Sequence, residues 1–257
     1  MIWRTTQASV LGSSHVKLNL PCQDASAVRE IIRPDGLTAL ICVVSDGAGS
    51  APRSQEGSLL ACNTVLLAAQ EWWAASSNTL PTPNEIKDWI FEASVSITEA
   101  AENEQLHPRA FACTLLGSML TPGGAIYFQV GDGGIVVHEG GHFTPVFWPE
   151  ETEALNLTFF ITDETWSDHT QILVSPTCPG SIALFTDGLQ LLVLDYANRT
   201  AHAPFFEQLF SQLESCSEEH LPYLDEAVAA YLNSDAINAR TDDDKTLILA
   251  MRNPVTS

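Results

Sequence analysis

The stretch Val43-Val44-Ser45-Asp46-Gly47-Ala48-Gly49-Ser50 is the point from which the rest of the chain can be interpreted. Residues 37–44, which lead into it, are almost entirely apolar and rich in β-branched side chains, and this pattern predicts a buried strand. The strand ends at Asp46-Gly47. A carboxylate at the end of a buried strand, followed by glycines that permit a close backbone approach, suits a metal or phosphate site. Taken alone, however, Asp-Gly is also a common turn dipeptide.

The composition of the 257-residue chain indicates an ordinary globular protein with a substantial core, since 45% of the residues are hydrophobic and 17% are charged. The formal charge is −21, from 32 acidic and 11 basic side chains. This balance argues against nucleic acid or an anionic membrane surface as a partner. It suits bound divalent cations or a cationic protein partner, although a solvated acidic surface accounts for most of the charge.

The cysteines indicate a reducing compartment. Six are scattered along the chain without a Cys-x-x-Cys pair: Cys22, Cys42, Cys62, Cys113, Cys178 and Cys216. This arrangement fits the cytoplasm better than a disulfide framework or a zinc site. Residues 1–11 contain a polar stretch where a secretory signal would be apolar, and no run approaches the roughly 18 apolar residues of a membrane span. We therefore expect a cytoplasmic protein without a membrane partner.

The order of predicted elements indicates the fold class. Strands are expected at residues 2–11, 25–33, 37–44, 113–120, 125–130, 135–138, 143–147, 157–162, 171–174, 181–185 and 246–251, and helices at 54–75, 84–104, 205–213 and 221–232. A turn is expected at 12–15 and an acidic loop at 150–154. This order predicts an α+β fold: a four-layer αββα sandwich of two antiparallel sheets, each covered by a pair of helices. Nothing marks a boundary, so we expect a single domain over residues 1–257.

The segment His138-Glu139-Gly140-Gly141-His142 matches the His-Glu-x-x-His signature of zinc peptidases. That chemistry needs both histidines on one face of a helix. Two adjacent glycines would cost about 2 kcal/mol relative to two alanines in a helix. Because the flanking residues alternate as in strands, Gly140-Gly141 is better explained as the turn of a β-hairpin.

Five aspartates each fall at the edge of an apolar run: Asp24, Asp46, Asp132, Asp187 and Asp243. If they converge on one end of a sandwich, they repel one another unless a cation holds them. Oxygen ligands without histidine or cysteine select hard cations, Mg²⁺ or Mn²⁺, rather than zinc. Two such ions sharing one carboxylate would generate a hydroxide and clamp the attacking and leaving oxygens of a phosphoryl transfer.

The motifs occur in an order that resembles a known family. They are Gln23-Asp24, Val44-Ser45-Asp46-Gly47-Ala48-Gly49, Cys113-Thr114, Val130-Gly131-Asp132, Thr186-Asp187-Gly188 and Asp243-Asp244-Lys245-Thr246. Each motif is weak, but six in this order and spacing resemble the metal-dependent serine/threonine protein phosphatases of type 2C (the PPM family), above all their compact bacterial branch. The resemblance spans nearly the whole chain.

The resemblance implies a β-sandwich with helix pairs and a centre of two Mn²⁺ or Mg²⁺ ions at one end. By position it gives roles to six residues: Asp46 bridging both ions, the Gly47 carbonyl on the first ion, Asp187 and Asp243 on the second, Asp24 through a metal-bound water, and Asp132 with Asp187 at an optional third ion. A bridging water would attack the phosphorus of phosphoserine or phosphothreonine. On this basis Asp46 and Asp24 are candidate catalytic residues.

The chain departs from the family pattern where the substrate would be held. The arginine that family members carry before the acidic pair is absent from His15-Val16-Lys17-Leu18-Asn19, and a second usual arginine is replaced in Gly131-Asp132-Gly133-Gly134. Lys17, His15 and Arg53 are therefore the candidates to bind the substrate phosphate. Ala48 stands where some members have a histidine proposed as general acid, so His15 is also a candidate for that role.

We accordingly expect a metal-dependent phosphoprotein phosphatase. The alternative from another class is a catalytically silent phosphatase fold that serves as a binding or scaffold module; the missing arginine favours it, and the intact set of aspartates opposes it. The expected partner is a phosphoprotein, and small bacterial relatives often oppose a particular serine/threonine kinase or act on its target.

Overall fold

Two antiparallel sheets form the centre of the computed structural model, which describes residues 3–149 and 158–253. Within those residues the first sheet has the strand order β2-β3-β4-β5-β8 and the second has the order β1-β12-β9-β6-β7; β10 and β11 form a separate short pair. The strands are β1 (Trp3–Val10), β2 (Ala25–Ile32), β3 (Thr38–Ser45), β4 (Leu115–Thr121), β5 (Gly124–Val130), β6 (Gly134–Glu139), β7 (His142–Pro145), β8 (Gln171–Ser175), β9 (Ser181–Phe185), β10 (Leu194–Asp195), β11 (Thr200–Ala201) and β12 (Lys245–Arg252).

Helices cover the outer face of each sheet. The α-helices are α1 (Ser13–Leu18), α2 (Ser54–Ala75), α3 (Pro83–Asn103), α4 (Gln190–Val193), α5 (Ala203–Ser215), α6 (Leu224–Leu232) and α7 (Asp235–Asn238). Short 3₁₀ helices lie at Pro108–Phe111, Trp166–His169, Asp187–Leu189 and Leu221–Tyr223. The start of α3 shows why the sequence folds this way locally: Thr82 and Glu85 form a reciprocal capping box, and Pro83 occupies the first turn.

Strand β3 connects two of the three apolar layers. Its residues Leu40, Cys42 and Val44 face the second sheet, whereas Ala39, Ile41 and Val43 face helices α2 and α3. Both faces of the strand are therefore buried, which is why residues 39–44 form a continuous apolar run instead of an alternating one. A third apolar layer lies between the second sheet and helices α5 and α6. The expected α+β, four-layer αββα sandwich is confirmed.

Two local expectations are wrong. Residues 12–15, expected as a turn, enter helix α1, which is fixed at its start by bonds from the Ser14 N–H and hydroxyl to the Asp242 carbonyl (2.8 and 2.6 Å) and ends at Asn19 in the left-handed conformation. Residues 158–162 form no strand. Ile161 is instead inserted into the core, and its N–H bonds to the Cys113 carbonyl at 3.0 Å. The acidic loop at 150–154, like residue 157, lies outside the described residues.

The His138–His142 segment is a β-hairpin, as expected. Strands β6 and β7 pair through Glu139 and His142, and the two glycines between them have φ angles of 58° and 83°. This left-handed turn cannot place the two histidines on one helix face, so the peptidase interpretation is excluded. All six cysteines are free, which also agrees with the sequence. Among the described helices, none has both the length and the apolar character needed to cross a bilayer.

Candidate metal centre

A cavity of about 400 Å³ opens at one end of the sandwich, where several strands finish. We call it the site cavity. Asp46 follows β3, Asp132 lies two residues after β5, and Asp187 lies two residues after β9. Its described lining consists of Ser14, His15, Leu18, Gln23, Asp46, Gly47, Ala48, Gly49, Ser50, Thr114, Asp132, Thr158, Phe160, Asp187, Asp242 and Asp243. Aspartates from distant parts of the sequence therefore meet here because their strands end at the same edge.

Asp46, Asp132 and Asp187 form the centre of this group: one carboxylate oxygen of each lies within 4.8 Å of those of the other two. Neighbouring threonines hold Asp46 and Asp132 in place. The Asp46 N–H donates to Thr114 Oγ1 at 3.0 Å, while the Thr114 N–H donates to the Asp46 carbonyl at 2.8 Å. The Thr158 hydroxyl donates to Asp132 Oδ2 at 2.8 Å. Three convergent carboxylates, two of them held by hydrogen bonds to threonines, are a suitable ligand set for a hard divalent cation.

Asp24 lies behind this group and joins the two sheets. Its Oδ2 accepts hydrogen bonds from the hydroxyls of Thr186 (2.7 Å) and Thr246 (2.8 Å), which both belong to the second sheet's side of the cavity. Its Oδ1 is buried and has no hydrogen-bond partner among the described residues. A buried carboxylate oxygen without a donor is costly unless water or a cation satisfies it. The orphaned oxygen therefore fits the presence of a cation or its water at this site.

Burial and mutual repulsion raise the pKa values of these carboxyl groups. Burial raises the pKa of Asp24 to about 7, although the bonds from Thr186 and Thr246 act in the opposite direction. Burial, followed by the charge of Asp132, raises the pKa of Asp187 to about 6. Asp46 has a pKa well above its usual value because it is buried and lies beside Asp24 and Asp187. Such a cluster carries its full negative charge only at a cost, which a bound cation would remove.

The glycine after each of two aspartates is required by close packing. A Cβ atom on Gly47 would lie 2.6 Å from the Gln23 carbonyl oxygen and 2.8 Å from Ser54. A Cβ atom on Gly188 would lie 2.0 Å from the Asp244 carbonyl oxygen. The repeated Asp-Gly pairs therefore mark positions where one backbone passes against another at the cavity, and they are more than turn dipeptides.

The Asp242-Asp243-Asp244 run divides its side chains between two roles. Asp243 lines the site cavity, and its Oδ1 accepts the N–H of Asp244 at 2.8 Å. The Asp244 carboxylate points towards the start of α1, where it accepts the backbone N–H groups of Gly12 and Gln23, both at 2.6 Å, and contacts His15. Asp242 also lines the cavity, and Asp243 is not one of the three carboxylates that lie within 4.8 Å of one another, so the role of Asp243 as a ligand stays a prediction.

Comparisons with known proteins agree with this geometry. A family model described as protein phosphatase 2C matches residues 11–233. The chain belongs to the protein phosphatase 2C family. It is 36% identical to Serine/threonine-protein phosphatase 3 of Escherichia coli (strain K12) over 253 residues, which are 98% of this chain and 99% of that protein.

Solved structures show the same fold at low sequence identity. Serine/threonine phosphatase Stp1 from Staphylococcus aureus superposes with a TM-score of 0.62 at 14% identity, covering 99% of this chain and 96% of that one. RsbX, solved in complex with magnesium, gives a TM-score of 0.55 at 16% identity, with 97% and 94% covered. The family membership predicted from the motifs is confirmed, and with it a metal-dependent phosphoprotein phosphatase; the alternative of a silent binding module gains no support.

Among the candidate substrate-binding residues of this protein phosphatase 2C chain, only His15 lines the site cavity. Lys17 is exposed on α1. The Arg53 guanidinium donates to Glu56 and to Glu104, with an Nε–Oε1 distance of 2.6 Å to the former, and lies over the Phe111 ring. The positive charge of Arg53 is therefore already paired with two carboxylates. The roles of all three residues stay predictions.

The role of Asp244 was not predicted from the sequence. Its contacts with His15, Gly12 and Gln23 span 221 to 232 positions of the chain, so no local pattern indicates them. The weak signal was that the family motif has asparagine where this chain has Asp244. A carboxylate at this position can accept hydrogen bonds on both oxygens, whereas an amide would offer one acceptor and one donor to the imidazole.

Proposed function

We propose that the protein removes phosphate from phosphoserine and phosphothreonine in proteins, using two Mn²⁺ or Mg²⁺ ions and an optional third. The observation that carries the proposal is the cluster of Asp46, Asp132 and Asp187 oxygens within 4.8 Å, in a chain of the protein phosphatase 2C family. The buried, unpartnered Oδ1 of Asp24 supports it. Hard cations fit this donor set because every convergent side chain offers oxygen.

The residues proposed to hold the ions are those named from the family motif. Asp46 would be shared by both ions, with the Gly47 carbonyl on the first; Asp187 and Asp243 would hold the second, Asp24 would act through water, and Asp132 with Asp187 would hold the third. When bound, the ions supply Lewis-acid stabilisation of negative charge and lower the pKa of water. The hydroxyls of Thr114 and Thr158 keep Asp46 and Asp132 in place.

The rest of the cavity wall would receive the phosphate. A phosphomonoester dianion is repelled by a wall rich in carboxylates, so it needs hydrogen-bond donors as well as cations. His15 is the one basic side chain among the described residues of the wall. Lys17 and Arg53 are the other candidates, and each must reach in from outside the cavity. The expected partners are phosphoproteins, and a cognate serine/threonine kinase or its target is the proposed source of the substrate. The free cysteines support a cytoplasmic location.

The test is hydrolysis of p-nitrophenyl phosphate and of a phosphoserine peptide by protein stripped of metal with EDTA and then supplied with Mn²⁺ or Mg²⁺. We expect activity only after an ion is restored, and Asp46→Asn serves as the control that lacks the shared carboxylate. Full activity in EDTA, or no hydrolysis of either substrate at saturating Mn²⁺, would overturn the proposal.

A further inference from the structure

His15 and Asp244 form a polar contact at the site, and neither residue is one of the proposed ion ligands. His15 Nδ1 lies 2.9 Å from Asp244 Oδ2, and both side chains are nearly fully buried. His15 belongs to α1 and also lines the site cavity. Among the described residues, its ring has no other hydrogen bond. The ring is thus attached to the protein through one nitrogen at the cavity wall.

The contacts of Asp244 determine which ring nitrogen carries the proton. Its Oδ1 accepts the Gly12 N–H and its Oδ2 accepts the Gln23 N–H, each at 2.6 Å. A carboxylate that accepts bonds on both oxygens is an acceptor for the imidazole as well, so Nδ1 is the donor. A histidine fixed in this way has Nε2 available for a substrate, as in other sites where a carboxylate orients an imidazole.

We propose that Asp244 is a positioning residue which fixes His15 so that Nε2 donates a proton to the departing serine or threonine oxygen of the substrate. The inference rests on the proposed phosphatase function and assigns one group within it. Among the described residues, His15 is the one histidine that lines the site cavity. His15 reaches the same cavity from α1, and it is the described wall residue that can donate a proton as a cation.

In the step assigned to His15, the bond between phosphorus and the serine Oγ breaks, and its electron pair stays on Oγ. The Nε2 proton of the imidazolium passes to that oxygen, which gives neutral serine. A water oxygen forms the new bond to phosphorus, and the proton that the water loses passes to solvent. The neutral imidazole then takes a proton from solvent, so protons and charge balance over one turnover.

The deciding variant is His15→Asn. The asparagine amide nitrogen can take the place of Nδ1 and keep the bond to Asp244, while nothing takes the place of Nε2. A general acid contributes about 10²- to 10⁴-fold, and only where the leaving group is a poor one. We expect kcat on a phosphoserine peptide to fall by about 10²-fold or more in Mn²⁺, and kcat on p-nitrophenyl phosphate by less than about fivefold, because nitrophenolate leaves without a proton.

The outcomes separate this inference from the proposed function. If wild-type protein hydrolyses neither substrate, the proposed function fails. If it hydrolyses both and His15→Asn loses equally on both with a raised KM, His15 binds phosphate instead, and the assignment as acid is overturned. Unchanged kcat on the phosphopeptide overturns it as well.

Asp244→Asn tests the positioning role independently of activity. An amide at this place can donate to Nδ1 and so favour the other tautomer. In ¹⁵N spectra of the metal-free protein, we expect neutral His15 of the wild type to carry its proton on Nδ1. In the variant we expect the ¹⁵N shifts of the ring to move towards those of the tautomer with its proton on Nε2. The same variant should lose kcat on the phosphopeptide more than on p-nitrophenyl phosphate.

Asp225→Asn is the matched control. Asp225, like Asp244, accepts one side-chain and at least one backbone hydrogen bond, here from the Thr6 hydroxyl and the Gln7 N–H, and it makes no contact with His15 among the described hydrogen bonds. This substitution should lower stability without changing the ratio of the two activities. If Asp244→Asn leaves the His15 signal unchanged, or lowers both activities by the same factor, Asp244 only stabilises the structure and the inference is wrong.

Discussion

The buried carboxylates predict an unusual pH dependence of stability in the metal-free protein. Burial raises the pKa of Asp24 from 3.8 to about 7 and, with the charge of Asp132, that of Asp187 from 3.8 to about 6. Each group therefore binds a proton more tightly in the folded chain than in the unfolded chain. The unfolding free energy then decreases as pH rises, since the slope follows the protons bound by the unfolded state minus those bound by the folded state.

The size of this effect follows from the two shifts. At about 1.4 kcal/mol for each pKa unit, Asp187 contributes about 3 kcal/mol and Asp24 about 4 kcal/mol. These amounts do not add, because both groups repel the same neighbour, Asp46. We expect the metal-free protein to lose at least the Asp24 contribution, about 4 kcal/mol of unfolding free energy, between pH 4 and pH 7.5, most of it above pH 5. Among the described residues, the surface carboxylates with lowered pKa values, such as Asp35 and Asp195, act in the opposite direction only below about pH 4.

Urea unfolding in EDTA, repeated at half-unit steps from pH 4.5 to 7.5, measures this slope. Asp24→Asn should flatten the curve between pH 6 and 7.5, since an amide has no proton to lose while its oxygen can still accept from Thr186 and Thr246. Mn²⁺ should raise the whole curve at neutral pH, by about 2.7 kcal/mol at one hundred times its dissociation constant. A metal-free stability that stays flat or rises from pH 5 to 7, with an identical curve for Asp24→Asn, would refute the reasoning.

Three further predictions concern single side chains. Asp46→Asn should lower kcat by orders of magnitude at saturating Mn²⁺, because it removes the ligand charge shared by both ions. The fold should survive, because the substitution relieves repulsion among the carboxylates. Kinetics and circular dichroism measure the two effects, and normal turnover would contradict the shared role. Asp243→Ala should weaken Mn²⁺ binding far more than Asp242→Ala in calorimetric titrations, and the reverse ranking would exclude Asp243 as the ligand. Lys17→Ala should lower kcat/KM on a phosphopeptide about tenfold with unchanged Mn²⁺ affinity. If Lys17→Ala leaves kcat/KM unchanged and Arg53→Ala lowers it, Arg53 and not Lys17 binds the substrate phosphate.

Much of the fold was predictable because long or doubly buried elements have clear patterns. Helix α2 and strand β9 have the predicted bounds, since a 22-residue helix repeats its apolar stripe many times and a strand buried on both faces is apolar throughout. Helix α1 was missed because six residues are too few to show a helical period. Its stability comes instead from bonds to the Asp242 carbonyl, more than 220 positions away.

The candidate site was predictable in its acids and less so in its other groups. The Asp-Gly pairs stand out in the sequence because the close contacts of Gly47 and Gly188 exclude any side chain. The pairing of His15 with Asp244 could not be predicted. Asp244 is the third of three consecutive aspartates, and only the folded backbone decides that Asp242 and Asp243 line the cavity while Asp244 contacts His15. The state of Arg53 was hidden for the same reason, because Glu104 reaches it from the end of another helix.

The two hydroxyl bonds that Asp24 accepts have a mechanical consequence. Asp24 directly precedes β2 of one sheet, while Thr246 lies within β12 of the other sheet and Thr186 directly follows β9. A single carboxylate oxygen therefore links the two sheets through hydrogen bonds. The two sheets cannot separate at this end without breaking both hydrogen bonds and exposing the Asp24 carboxyl group to water. We therefore expect amide exchange at Thr186 and Thr246 to be among the slowest in the protein.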